Sequence, residues 1–172
     1  IGATSCIEFT DLLGNPFAAL LPRENMVYPF VFALEDDSFS IVNDTSIIYF
    51  DKNRNEVWES KYKKVYDIDV IDEKLFVIAV NSKDTANISE ILFINREGKV
   101  LKNYPLNREV NNISTYRDIG AINTGREVYF INSKAYLIAK YNTLSDVMQV
   151  YFFSKNEAAV VTRNCIDIIK IQ

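Results

Sequence analysis
The stretches IIYFDKNRNEVW (47–58), ILFINREGKVL (91–101) and VYFINSKAYLI (128–138) share one order of residues. An apolar run rich in β-branched and aromatic side chains ends on Asp or Asn. A polar turn carrying a basic residue follows, and then a second apolar run. Such side chains suit a pleated surface, and Asx residues favour tight turns, so each stretch reads as a strand–turn–strand unit. The third copy reads as the same unit with a shortened turn.

Outward from these units the chain keeps one rhythm. Short apolar runs alternate with polar turns from Tyr28 onward and group into fours, as in antiparallel meanders. The first group is 28–34, 39–43, 46–51 and 56–60, and the second is 65–71, 75–81, 90–95 and 99–104. The third is 110–116, 119–123, 127–132 and 135–141, and the fourth has three members, 147–153, 158–162 and 165–171. First strands begin at 28, 65, 110 and 147, so the intervals are 37, 45 and 37 residues. The polar insertion 82–89 accounts for the longer one. Four strands per unit at this period predict an all-β fold of blade-like sheets, a β-propeller or partial propeller. A β-sandwich is the alternative, because alternation and turn spacing are common to both.

Composition agrees. The 172 residues include 20 Ile, 15 Val and 8 Thr against 11 Leu, and 17 Asn supply turn chemistry that five Gly cannot. The repeat resembles the degenerate repeats of quinoprotein-type (PQQ-like) and WD-repeat-like propellers, in which a strand ending in Asp leads through a Gly-containing turn to a Trp-ended strand. Trp58 fills the Trp position once and Gly98 the Gly position once. The resemblance covers about residues 28–172 and implies the scaffold rather than a quinone, since the vicinal cysteines of the quinone enzymes are lacking. No cofactor is expected. Residues 1–27 form a separate N-terminal segment, in which Phe17–Leu21 reads as at most one helical turn. Cys6–Thr10 has the alternation to close the last sheet by pairing with Cys165–Ile171, in a register that leaves both thiols free.

Chemistry is sparsely provided. Histidine is absent, which removes the commonest general base and metal ligand, and no glycine-rich phosphate loop can be assembled. The net charge of −4 and the lack of a long apolar run argue against nucleic-acid binding and membrane insertion. Asp51–Asn55 places oxygens at alternate positions as a calcium loop does, but Glu56 stands where the sharp turn wants Gly, and the stretch reads as a turn. Asp67 and Asp69 share one face of a strand, where paired carboxylates serve acid–base work only if their pKa values are split. They read as an exposed strand face.

The densest basic cluster, Lys61, Tyr62, Lys63, Lys64 and Tyr66, interleaves cations with aromatic rings and follows Trp58 closely. These six residues are the candidate ligand or partner surface. The expected function is a non-catalytic protein-interaction or scaffold module with a protein partner. The alternative is an extracytoplasmic domain that binds a glycan or another ligand through exposed Tyr and Trp58. Sequons at Asn43, Asn87 and Asn112 lean towards a secreted or extracytoplasmic setting, with Asn43 and Asn87 in accessible turns. Alternation places Ile68, Val70, Phe76, Ile78, Val80, Leu92, Ile94, Tyr129, Ile131, Phe152, Val160, Ile166 and Ile168 in the core.

Overall fold
The computed structural model describes residues 7–10, 13, 15–20, 30–34, 36–72, 74–81 and 89–171. All regular structure among them is strand. A two-stranded pair, β1 (Ile7–Thr10) and β2 (Pro16–Leu20), precedes four antiparallel meanders. Sheet I is β3 (Phe30–Ala33), β4 (Phe39–Val42), β5 (Ser46–Phe50) and β6 (Glu56–Lys61). Sheet II is β7 (Lys64–Ile71), β8 (Leu75–Asn81), β9 (Ser89–Asn95) and β10 (Val100–Leu106). Sheet III is β11 (Asn112–Tyr116), β12 (Ile119–Asn123), β13 (Glu127–Asn132) and β14 (Leu137–Asn142). Sheet IV has β15 (Val147–Ser154), β16 (Glu157–Thr162) and β17 (Ile166–Lys170).

The sheets stack in series. One buried cluster, with Val42, Ile47 and Tyr49 against Ile68, Phe76 and Ile78, joins I to II. A second, with Val77, Ile91 and Phe93 against Ile113 and Ile122, joins II to III. A third, with Ala121, Val128 and Phe130 against Val150 and Val160, joins III to IV. Sheets II and III are therefore covered on both faces, and their middle strands are apolar in both phases. Two sheets facing each other across one core would not give three separate layers, so the sandwich alternative falls.

The turn quoted at the outset is built identically in sheets I, II and III. Asp51, Asn95 and Asn132 accept the backbone N–H of Arg54, Gly98 and Ala135 on their carbonyls. Their side-chain Oδ1 atoms accept Asn55, Lys99 and Tyr136 N–H at 2.8–3.0 Å. Arg54, Gly98 and Ala135 all have positive φ, at 67°, 78° and 61°. The third turn is thus full length, and the shortening expected from sequence is not there. Asx side chains hold a left-handed corner that only sheet II gives to glycine.

Three expectations are corrected. Residues 16–20 form a strand, not a helical turn, because Ile7–Thr10 supplies a pairing partner. Ile7–Thr10 pairs with Pro16–Leu20 and with no strand of sheet IV. Among the described residues β17 pairs with β16 alone, while Cys6 lies outside them and Cys165 is a free, exposed thiol. Finally, Ile166 and Ile168 point out of the core, at 65% and 55% exposed. Ile169 and Ile171 pack inward instead, against the III–IV cluster.

Candidate interaction surfaces
Trp58 is not an open platform. Its indole N–H donates to Arg96 O at 2.8 Å, reaching from sheet I to the β9–β10 turn of sheet II. The ring lies 5.8 Å from Tyr49 and 5.9 Å edge-on to Phe76. Gly98 closes the other side, where an added Cβ would stand 2.7 Å from Trp58 Cγ. Arg96 also pairs with Asp36 of the β3–β4 turn. Trp58 therefore locks two sheets together. Gly98→Ala, clashing there and strained at positive φ, is expected to destabilise the protein by about 1–3 kcal/mol. The same variant should shift the emission of Trp58, the chain's one tryptophan, which a urea titration followed by fluorescence reads directly.

The basic connection is split between packing and solvent. Tyr62 is half-buried against the I–II cluster, and burial pushes its phenol above the usual tyrosine range. Lys61, Lys63 and Lys64 are exposed. Lys61 lies 3.7 Å from Glu59, and Lys64 Nζ lies 2.8 Å from Glu109 and 4.3 Å over the Tyr66 ring. The structure does bring Lys64 and Tyr66 together, but with an ammonium already seated on the aromatic face.

Asp67 and Asp69 are clamps, a role the sequence reading missed. Asp67 Oδ2 accepts Ile113 N–H at 2.6 Å and Asp69 Oδ2 accepts Thr115 N–H at 2.9 Å. Their Oδ1 atoms accept Ile68 and Val70 N–H at 2.9 and 2.8 Å. Thr115 Oγ1 donates back to Val70 O at 2.8 Å. Two carboxylates two residues apart thus match two N–H groups two residues apart on β11. Burial raises the Asp67 pKa above the ordinary carboxylate value, against the opposing pull of the Ile113 and Ile68 N–H bonds. The III–IV contact uses neutral groups at the matching positions: Asn112 Nδ2 donates to Met148 O, and Gln149 Nε2 to Ser114 Oγ.

Other sequence candidates resolve into turns. Both Asp51 oxygens are occupied by Asn53 and Asn55 groups, and among the described residues no cluster of three metal-ligating side chains forms. Asn43 is buried and its Oδ1 accepts Thr45 and Ser46 N–H, so it is not the accessible sequon expected; Asn87 lies outside the described residues. A cleft of about 350 Å³ opens between sheets III and IV beside Ile119, Lys155, Asn156 and Lys170, with Lys155 held 2.9 Å from Asp118.

The outer strands carry an apolar rim that no motif announced. Val57 on β6, Val100 and Leu101 on β10, and Leu137 on β14 with Tyr136 just before it are 44–65% exposed. They sit directly after the same Asx turn in three successive sheets. Register shifts at each place, between Tyr49 and Phe50, Val100 and Lys102, and Phe130 and Ile131, put a bulge there. Bulges re-aim side chains: the extra residues Val57 and Leu101 of sheets I and II are turned to solvent, whereas in sheet III the extra residue Ile138 packs against the III–IV cluster and Leu137 beside it is exposed.

The chain belongs to the family of unknown function DUF5711, whose profile matches residues 22–171. A search of curated proteins finds no match. Among solved structures it is similar to Hsv2 from Kluyveromyces lactis, at 11% identity and TM-score 0.75, over 97% of this chain and 56% of that one. It is also similar to BamB from Moraxella catarrhalis (12%, TM-score 0.65, 95% of this chain and 52% of that). BBS1N, crystallised in complex with ARL6DN, is a third (10%, TM-score 0.66, 98% and 59%). The chain spans little more than half the length of each. At these identities the likeness shows a β-propeller-type fold.

Proposed function
We propose that this chain is a non-catalytic protein-interaction module of the β-propeller class, which docks a protein partner on the rim formed by Val57, Val100, Leu101, Tyr136 and Leu137. The observation that carries this reading is the repetition of exposed apolar residues at one place in three rigid sheets. Surface apolar groups scattered singly need no explanation, but aromatic and aliphatic groups recurring on a fixed frame suit a partner interface. That the similar BBS1N chain is held with a protein in its crystal points the same way. The glycan reading loses support from Trp58 and Tyr62, whose rings are engaged in packing.

The test is a pair of surface variants, Leu101→Glu with Tyr136→Glu, in protein recovered under mild conditions from its native source. The wild type should carry a stoichiometric protein partner, and the double variant should lose it while keeping its melting temperature within a degree or two. A partner retained in full by the double variant would remove the rim from the proposal. A glycan-array signal abolished by Tyr66→Ala would replace it with the ligand-binding reading.

A further inference from the structure
The repeated unit carries a second feature beside its apolar pair, a basic residue in the turn. The Asx turns at 51–55, 95–99 and 132–136 hold Lys52, Arg54, Arg96, Lys99 and Lys134, against Glu97 and the turn-anchoring Asp51. The turns between first and second strands stand at the same end of the sheets and have the opposite character. Among the described residues they hold Asp36, Asp37, Asp72 and Asp118, with Lys74 and Arg117. Charge is thus segregated in a chain whose net charge is −4. Lys99 and Lys134 are exposed, as is Lys102 beside Leu101, and none of the three makes an ion pair among the described residues. Lys61, Lys64, Lys140 and Lys155, by contrast, each have a carboxylate at 2.8–3.7 Å. The cations and the apolar rim form one surface. The bond from the Trp58 indole to Arg96 O sets Val57, next to Trp58, beside the turn that leads into Val100 and Leu101. Ala135, the corner of the third turn, packs against the II–III cluster, so this turn too is seated on the joint with the preceding sheet.

We infer that the partner docked on this rim presents an acidic segment in which carboxylates alternate with large apolar side chains. Lys99, Lys102 and Lys134 receive the carboxylates, while Leu101, Tyr136 and Leu137 take the apolar groups. This rests on the rim as the docking surface and adds the chemistry of what docks there. Lysine is depleted at protein interfaces because its ammonium is costly to desolvate without a counter-charge. Three unpaired lysines around an apolar patch therefore select a partner of opposite sign and repel a basic one. An anionic membrane also attracts exposed lysines beside apolar groups. Here, however, Glu56 and Glu97 stand exposed among them, and a lipid surface of like charge repels both. A protein segment can place a cation against each carboxylate or leave it in water, so a mixed surface of this kind fits a protein.

Fluorescence anisotropy with the full chain and a labelled peptide of about twelve residues, alternating Glu with Leu and Tyr, tests it. The acidic peptide should bind saturably, and counterparts with Lys for Glu, or with Ser for Leu and Tyr, should bind about tenfold more weakly or not at all. Lys99→Gln, Lys102→Gln and Lys134→Gln together should weaken the acidic peptide about tenfold, as should salt raised from about 50 to 500 mM. The three side chains are exposed and unpaired, so the melting temperature should hold, and Lys102→Gln alone, with about a twofold loss, serves if the triple variant misfolds. Leu101→Ser with Tyr136→Ser separates this inference from the rim itself. If that pair abolishes binding while the lysine variants do not, or if the basic peptide binds as well as the acidic one, the rim stands and its acidic preference is overturned. If the acidic peptide binds and neither set of variants weakens it, rim and preference fall together. An acidic peptide that does not bind overturns the preference. Co-sedimentation with phosphatidylserine–phosphatidylcholine vesicles, lost in the lysine variants and unaccompanied by peptide binding, replaces the protein segment with a membrane.

Discussion
Phe76→Ala is expected to destabilise the protein by about 3–5 kcal/mol, the range for deleting a fully packed ring and leaving a cavity. Phe76 is buried at the centre of the I–II layer, 5.7 Å edge-on to Tyr49 and 5.9 Å from Trp58. The three rings come from three strands, β5, β6 and β8, so the cavity would sit where two sheets and the Trp58–Arg96 bond meet. Relaxation is restricted on one side by Gly98, which already touches Trp58. For a chain of this size the loss corresponds to a fall in melting temperature on the order of 10 °C. Urea denaturation followed by tryptophan emission measures it. Ile168→Ala is the internal comparison: its side chain is exposed, and dilute protein should lose less than about 0.5 kcal/mol. Equal losses at the two positions would mean that the faces of these sheets are assigned the wrong way round.

The strands were legible because alternation and Asx turns are local signals. Leu75–Asn81, Ile119–Asn123 and Glu127–Asn132 begin and end where the sequence places them. The phase of β17 was not legible, since IDIIKI offers Ile at 166 and 168 in one phase and at 169 and 171 in the other. Only the packing of Ile169 and Ile171 against sheet III decides between them. Strand β2 was hidden for a related reason. PFAAL carries little β preference of its own and becomes a strand by pairing with Ile7–Thr10. The candidate surface fared worst. Trp58 next to a run of Lys and Tyr looks like a binding platform from sequence, yet its partner carbonyl lies 38 residues on, at Arg96. The exposed rim was missed because in sheets I and II a bulge, not alternation, turns Val57 and Leu101 outward.

The acidic string shows how a sequence feature that resembles chemistry serves architecture, and it carries the second large effect. Asp67→Ala with Asp69→Ala is expected to cost about 2–4 kcal/mol, because it leaves the Ile113 and Thr115 N–H groups without acceptors, at ~1–3 kcal/mol each, and the two carboxylates act in one clamp, so their effects do not simply add. The loss should be local as well as global. The Ile113 and Thr115 amides lose their acceptors, and their hydrogen exchange should accelerate more than that of Ala121 or Phe130 in the same sheet. Charge is not what makes the clamp favourable at Asp67. Burial raises its pKa, so the folded protein binds the proton more tightly than the unfolded chain does. Stability from this group is therefore greatest below the ordinary carboxylate value of ~3.9 and declines as pH rises through the raised folded value. Asp67→Asn removes that titration while keeping one acceptor oxygen. Compared by urea midpoint, the variant should gain on the wild type as pH is raised from about 3 to 7. If the gap moves the other way, the Ile113 and Ile68 N–H bonds outweigh desolvation, and the carboxylate itself stabilises the joint between sheets II and III.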